Sequence, residues 1–209
     1  MADAKPTCRL YLQIPAHLTA KLESQLTQAL AHVAPACVLL HGNGQAVEKV
    51  PTDRLIDLVQ GAGVACLIEN DIDVAERLGA DGVHIPADPD LCARARALLG
   101  ESANIGAACG LDGHAAMQLA EAGADYVAFG LSDGTIDHAN QCTELLAWWS
   151  EIFVVPCVAW NVESVAQAVQ FAEAGADFIA PPPTVWQSDA AVALITDIDK
   201  AIRGARRLA

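Results

Sequence analysis

The chain has 209 residues, 53% of them hydrophobic, with 26 acidic against 12 basic side chains and a formal net charge of −14. That length suits a single domain with a full core, and the acidic balance makes nucleic acid and anionic membranes poor partners. No apolar run reaches the roughly 18–20 residues that span a bilayer, and the opening MADAKPTCRLYLQI has no signal-peptide h-region, so a cytoplasmic protein acting on a small-molecule ligand is expected.

Taken in chain order, short apolar runs predict strands at 9–14, 37–42, 65–70, 82–86, 104–109, 126–130, 155–160 and 178–182. Runs apolar at every position suit strands buried on both faces, as in a parallel sheet. Helical periodicity falls between them, at 18–32, 53–61, 88–99, 111–122, 139–151, 162–174 and 188–208. One unit is written twice: AEAGADYVAFG at 120–130 returns as AEAGADFIAPP at 172–182, and AERLGADGVHIP at 75–86 is a diverged third copy. Each copy reads as a helix end, a glycine in the left-handed cap position, and a buried strand.

Eight strands, each followed by a helix or helical turn, predict a single (β/α)8 TIM barrel over residues 1–209. The rival is a doubly wound open sheet, which would carry a glycine fingerprint in its first turn; QIPAHLTA has none. The seven cysteines are scattered without a CxxC pair, arguing against disulfides or zinc and for small buried apolar groups.

In a barrel of this kind the chemistry sits at the C-terminal strand ends. Residues reaching that mouth are acidic, aromatic and neutral, without Arg or Lys, although Lys49 and Arg54 lie nearby after the second strand. His41, Glu69 and His138 are the acid–base candidates. Asn43, Asn70, Thr135, Trp160, Asn161 and Trp186 are candidate ligand contacts, the two indoles suiting a flat or cationic heteroaromatic. Asp71, Asp88 and Asp90 supply oxygen ligands of the kind Mg²⁺ takes; Asp71 and Asp88 equally suit helix N-caps. The loop after the last strand, PPPTVW, has three prolines without N–H donors, and the loop before it, AWNVES, has no glycine. Both are poor phosphate cradles.

The runs LIENDIDVAERLGADGVHIPADPD, IGAACGLDGHAAMQLAEAGADYVAFG and PCVAWNVESVAQAVQFAEAGADFIA resemble the thiamine phosphate synthase and thiazole tautomerase family over roughly residues 36–185. The resemblance implies a (β/α)8 barrel joining an aminomethylpyrimidine diphosphate to a thiazole phosphate, with magnesium on the diphosphate. Residue by residue, the family's donors are replaced. Its Gln-x-Arg-x-Lys after the second strand meets VLLHGNG, placing His41 and Asn43 at the cationic positions. Its Gly-x-Ser meets GAA, with Ala108 at the serine. Its Pro-Thr-x-Thr-Lys meets GTIDH, keeping Thr135 but setting Asp137 and His138 at the second Thr and the Lys. Its double glycine becomes Asn161 and Val162, and the tautomerase histidine becomes Leu131. The metal-binding Asn-Asp falls on Asn70 and Asp71 in one register and on Glu69 and Asn70 in the other, while the second metal Asp falls on Pro89, between Asp88 and Asp90.

Each lost charge-assisted hydrogen bond removes roughly 1.5–3 kcal/mol of phosphate binding. The expectation is therefore a barrel of this family with degenerate diphosphate and metal sites, taking a small unphosphorylated, cationic or heteroaromatic ligand. The rival readings are a transferase working through atypical residues and an enzyme of another reaction class using His41, Glu69 and His138. The sequence leaves the oligomeric state open.

Overall fold

A computed structural model describes residues 7–42, 53–130 and 136–205. Eight parallel strands close into a barrel in sequential order. They are β1 (Arg9–Pro15), β2 (Cys37–His41), β3 (Ala65–Glu69), β4 (Gly82–Pro86), β5 (Asn104–Gly110), β6 (Tyr126–Phe129), β7 (Cys157–Trp160) and β8 (Phe178–Ala180). The helices are α1 (Ala20–His32), α2 (Asp53–Gly61), α3 (Ile72–Leu78), α4 (Pro89–Leu99), α5 (Gly113–Glu121), α6 (Ile136–Ile152), α7 (Val165–Glu173) and α8 (Ala191–Gly204), with a 3-10 helix at Pro183–Gln187. The predicted barrel is the observed one. No helix among the described residues is long and apolar enough to cross a membrane.

Period-two alternation divides the buried residues into two sets. Leu10, Leu12, Ile14, Val38 and Leu40 join the outer core between sheet and helices, which also takes the fully buried Trp149. Tyr11, Leu39, Leu67, Tyr126, Ala128, Val158 and Ala180 form a second cluster filling the barrel. The seven cysteines are buried and none is in a disulfide, and burial pushes the thiols of Cys66, Cys109 and Cys142 up to about 12.

The repeated GAD segments have a structural cause. Each Asp carboxylate accepts an N–H from the first or second residue of the preceding strand: Asp81 from Cys66 at 2.7 Å, Asp125 from Ile105 at 2.7 Å and Asp177 from Cys157 at 2.9 Å. Each Asp N–H returns a bond to the carbonyl of that same partner, at 2.8, 2.7 and 2.9 Å. The motif therefore clamps β4 to β3, β6 to β5 and β8 to β7 at the N-terminal end of the barrel. The glycines ahead of these aspartates have positive φ, 66° at Gly79, 92° at Gly123 and 113° at Gly175, which lets each helix end turn directly into its strand.

Candidate functional site at the C-terminal mouth

The mouth is built from the inward-facing ends of the strands. On one side, His41 closes β2 and Glu69 closes β3. The His41 Nδ1–H donates to Glu69 Oε2, and the same oxygen accepts the Gly42 N–H at 3.2 Å. Both side chains are partly exposed, 26% and 17%. Holding the proton on Nδ1 turns Nε2 of a neutral His41 into an acceptor, the arrangement that a carboxylate gives a general-base histidine.

Beneath this pair lies a column of rings. His84, on β4 and paired in register with Glu69, stacks on Trp160 with centroids 4.5 Å apart and planes 11° apart. Its Nδ1 is 3.1 Å from the Tyr126 hydroxyl, which is 2.8 Å from the Tyr11 hydroxyl. Tyr11 meets Trp160 edge-on at 5.3 Å. His84 Nε2 is buried without a hydrogen-bond partner. Burial lowers the His84 pKa from 6.5 to about 4; the Glu69 charge opposes the shift and His41 adds to it. The imidazole is therefore neutral at pH 7. The Tyr126 ring lies over Gly106, where a Cβ would meet it at 1.8 Å. Sequence reasoning named Trp160 but missed Tyr11 and Tyr126. Counting every second residue of β1 and β6 inward is the signal that finds them.

On the opposite side, His138 stands in the first turn of α6. It lines a small recess with Gly130, Cys142, Trp160 and Asn161. The structure thus pairs His41 with Glu69 across β2 and β3, and groups His138 with Trp160 and Asn161 beside β6 and β7, four strands away around the barrel. Trp186 is buried in the core, its indole N–H donated to the Gln13 carbonyl at 2.7 Å. Asn43 and Thr135 lie outside the described residues.

Asn70 and Asn161 directly follow β3 and β7. They are the two non-glycine residues with positive φ among the described residues, at 57° and 58°. Asn tolerates this region better than most side chains. The left-handed turn that glycine would favour after β7 is thus kept with a side chain in it, and the next N–H, of Val162, goes to the Ala180 carbonyl at 3.0 Å. After β8, the Pro181 carbonyl accepts from Gln13 Nε2 at 3.2 Å and the Pro182 carbonyl from the Val185 N–H at 3.1 Å. A groove of about 240 Å³ runs between these loops, walled by Val162, Pro182, Val185 and Leu194, with Glu163 as its charged residue. Lys21, at the start of α1, pairs with Asp189 at 2.6 Å and donates to the Gln187 carbonyl. Arg54 pairs with Glu23 on α1.

The acids singled out for magnesium cap or open helices. Asp71 is the N-cap of α3, accepting the Val74 N–H at 3.0 Å. Asp88 is the N-cap of α4, accepting from Asp90 and Leu91 at 2.9 and 3.3 Å. Asp90 sits in the first turn of that helix. Among the described residues no three His, Cys, Asp or Glu side chains cluster as a metal site, and the Asp71 and Asp88 carboxylates are engaged as helix caps.

Fold and mouth together define a parallel (β/α)8 barrel with an opening that, among the described residues, is polar and poor in cations, over an aromatic interior. The family model for thiamine monophosphate synthase matches residues 10–181. The chain is 36% identical over 198 residues to a thiamine-phosphate synthase of Erythrobacter litoralis, covering 90% of this chain and 93% of that protein. It is also 36% identical over 204 residues to one of Rhodospirillum centenum, covering 94% and 99%. Among solved structures, a thiamine phosphate pyrophosphorylase from Pyrococcus furiosus superposes with a TM-score of 0.76 at 19% identity, over 94% of this chain and 96% of that one. This chain belongs to the thiamine monophosphate synthase family.

Proposed function

We propose that this barrel has exchanged the family's grip on diphosphate for a pocket that holds a flat, unphosphorylated heteroaromatic ligand, with the transferase reaction weak or lost. The observation that carries the reading is the chemistry of the loops after β7 and β8. One offers three prolines without N–H groups; the other spends the Val162 N–H on a backbone carbonyl. The charged residue of the groove between them is an acid. In place of phosphate donors the mouth offers the His41–Glu69 pair, with Trp160 below it. A cationic ring suits that set: Glu69 supplies the counter-charge, the indole edge supplies contact area, and His41 Nε2 accepts a ring or amino proton. No metal step enters this reading.

A second reading is favoured by the 36% identity to proteins named thiamine-phosphate synthase: the chain makes thiamine phosphate through other residues. One experiment separates the two. Purified protein is mixed with Mg²⁺, aminomethylpyrimidine diphosphate and thiazole phosphate, and thiamine phosphate is followed with time. Calorimetry on the same preparation measures binding of the diphosphate, the unphosphorylated pyrimidine and thiamine. The expected result is no turnover, no diphosphate binding, and thiamine or pyrimidine binding that Glu69→Gln weakens about tenfold. Turnover at ordinary enzyme rates, about 1 s⁻¹ or faster, overturns the proposal and establishes the second reading.

A further inference from the structure

The other end of the barrel carries a feature that the mouth does not explain. The interior of a (β/α)8 barrel is ordinarily filled by layered side chains. Here the N-terminal end opens into a chamber of about 210 Å³, lined by Arg9, Tyr11, Cys37, Asn104, Tyr126 and Phe178. The room comes from small inward residues: Cys37 and Ala65 stand side by side on β2 and β3 and line the chamber. A chamber of about 150 Å³ is enough to hold a benzene ring, so this one takes a ring with a substituent.

Its walls and rim differ in chemistry. The Tyr11 and Tyr126 hydroxyls are engaged with one another and with His84, which leaves their ring faces to line the space beside Phe178, Leu67 and Ala65. The polar groups are Arg9 and Asn104, both exposed. Asn104 Nδ2 donates to the Asp81 carbonyl at 3.1 Å. Arg9 Nη2 donates to the Pro35 carbonyl at 3.0 Å, which fixes the guanidinium in place; it carries five N–H donors in all. The carboxylates of Asp81, Asp125 and Asp177, at this same end, each accept a backbone N–H, and Asp125 also pairs with Arg96.

We propose that this chamber is a second small-molecule site, for a single-ring aromatic or similarly sized aliphatic carboxylate, its apolar body among the tyrosines and its carboxylate on Arg9. It shares the Tyr11 and Tyr126 rings with the aromatic column of the barrel interior but uses none of His41, Glu69, His138 and Trp160, and it stands whether or not the mouth reading does. The test is ligand-observed NMR and equilibrium dialysis on the full chain with two probes, benzoate and the neutral benzyl alcohol. Benzoate is expected to bind with a Kd of about 1 mM, roughly tenfold tighter than benzyl alcohol, the difference being one charge-assisted contact. Ala65→Phe puts a ring into the chamber and weakens both probes by at least about tenfold. Arg9→Leu abolishes the preference for benzoate while benzyl alcohol still binds. Circular dichroism establishes that each variant folds; should Ala65→Phe not fold, Arg9→Leu at the solvent rim carries the test alone. Absence of benzoate binding at about 20 mM, equal affinity for the two probes, or benzoate binding that survives Arg9→Leu unchanged would overturn the proposal. So would unchanged binding in a folded Ala65→Phe protein, because the ring would then sit elsewhere.

Discussion

His84 is the residue at which burial and chemistry conflict most sharply. It is 2% exposed, with one nitrogen bonded and the other not. Its pKa falls from 6.5 to about 4 on folding, so as pH drops the unfolded chain takes up the proton first. Stability from this site is complete above about pH 6.5, declines between 6.5 and 4, and levels off below, for a total of about 3 kcal/mol. Urea titrations at pH 7 and pH 4.5 read this directly: His84→Phe is expected to remove most of the pH dependence in that window, and an unchanged slope would place its origin in other groups. Asn161 poses a different question. At φ 58° a side chain costs about 1 kcal/mol that glycine does not incur, while glycine costs a similar amount in unfolded-state entropy. Asn161→Gly should therefore stay within about 0.5 kcal/mol of the parent, whereas Asn161→Val, with a β-branched residue in the left-handed region, should lose about 1–3 kcal/mol. Thermal melting checks both.

At the scale of elements, the repeated AEAGAD segment offers an internal control. Gly123 and Gly175 occupy equivalent places with φ of 92° and 113°. A Cβ on Gly123 meets nothing within 4 Å, while one on Gly175 meets Ser150 Oγ at 2.2 Å and its Cβ at 2.6 Å. Gly123→Ala is expected to cost roughly 1 kcal/mol, from backbone strain alone. Gly175→Ala should cost about 1–3 kcal/mol more, and a Ser150→Gly background should close much of that gap. Equal losses at the two glycines would show that the overlap with Ser150 relaxes freely. The strands were legible because a strand buried on both faces is apolar at most positions along a short run, with polar residues mainly at its ends. Their ends shifted where a polar or proline residue finished the run: residues 155 and 156 precede β7 and Pro181 follows β8. Residues 18–19 were read into a helix that begins after its Thr19 cap. The mouth was harder to read. That chemistry belongs at the strand ends followed from the fold, but the bond between His41 and Glu69 depends on two strands 28 residues apart arriving level. The indole of Trp186 and the carboxylates of Asp71 and Asp88 carry the same residue types whether they meet a ligand or a backbone group, so composition alone did not separate the two.

For the molecule as a whole, the net charge of −14 and the acid-lined mouth act in the same direction. On the proposed reading both disfavour a polyanionic substrate and favour a cationic one, an effect that added salt weakens. The closed barrel exposes no strand edge, so its stability rests on every neighbouring pair of strands. Those junctions are not equivalent. The reciprocal aspartate bonds join β3 to β4, β5 to β6 and β7 to β8, and leave the intervening junctions to the ordinary ladder and to backbone carbonyl contacts, such as the two bonds from Asn104 to the Asp81 carbonyl. The chain is in this sense assembled from two-strand modules, three of them fastened by the same three letters. A protein made this way should tolerate a break between modules better than one within a module. Fragments 1–102 and 103–209, divided between β4 and β5, are expected to reassemble into a folded barrel when co-expressed. Fragments 1–124 and 125–209, divided between β5 and β6, are expected to fail, because Asp125 and Ile105 would have to find one another across two separate chains. Co-purification of each pair through a tag on one fragment would show whether the repeated motif marks the seams along which such a barrel is put together.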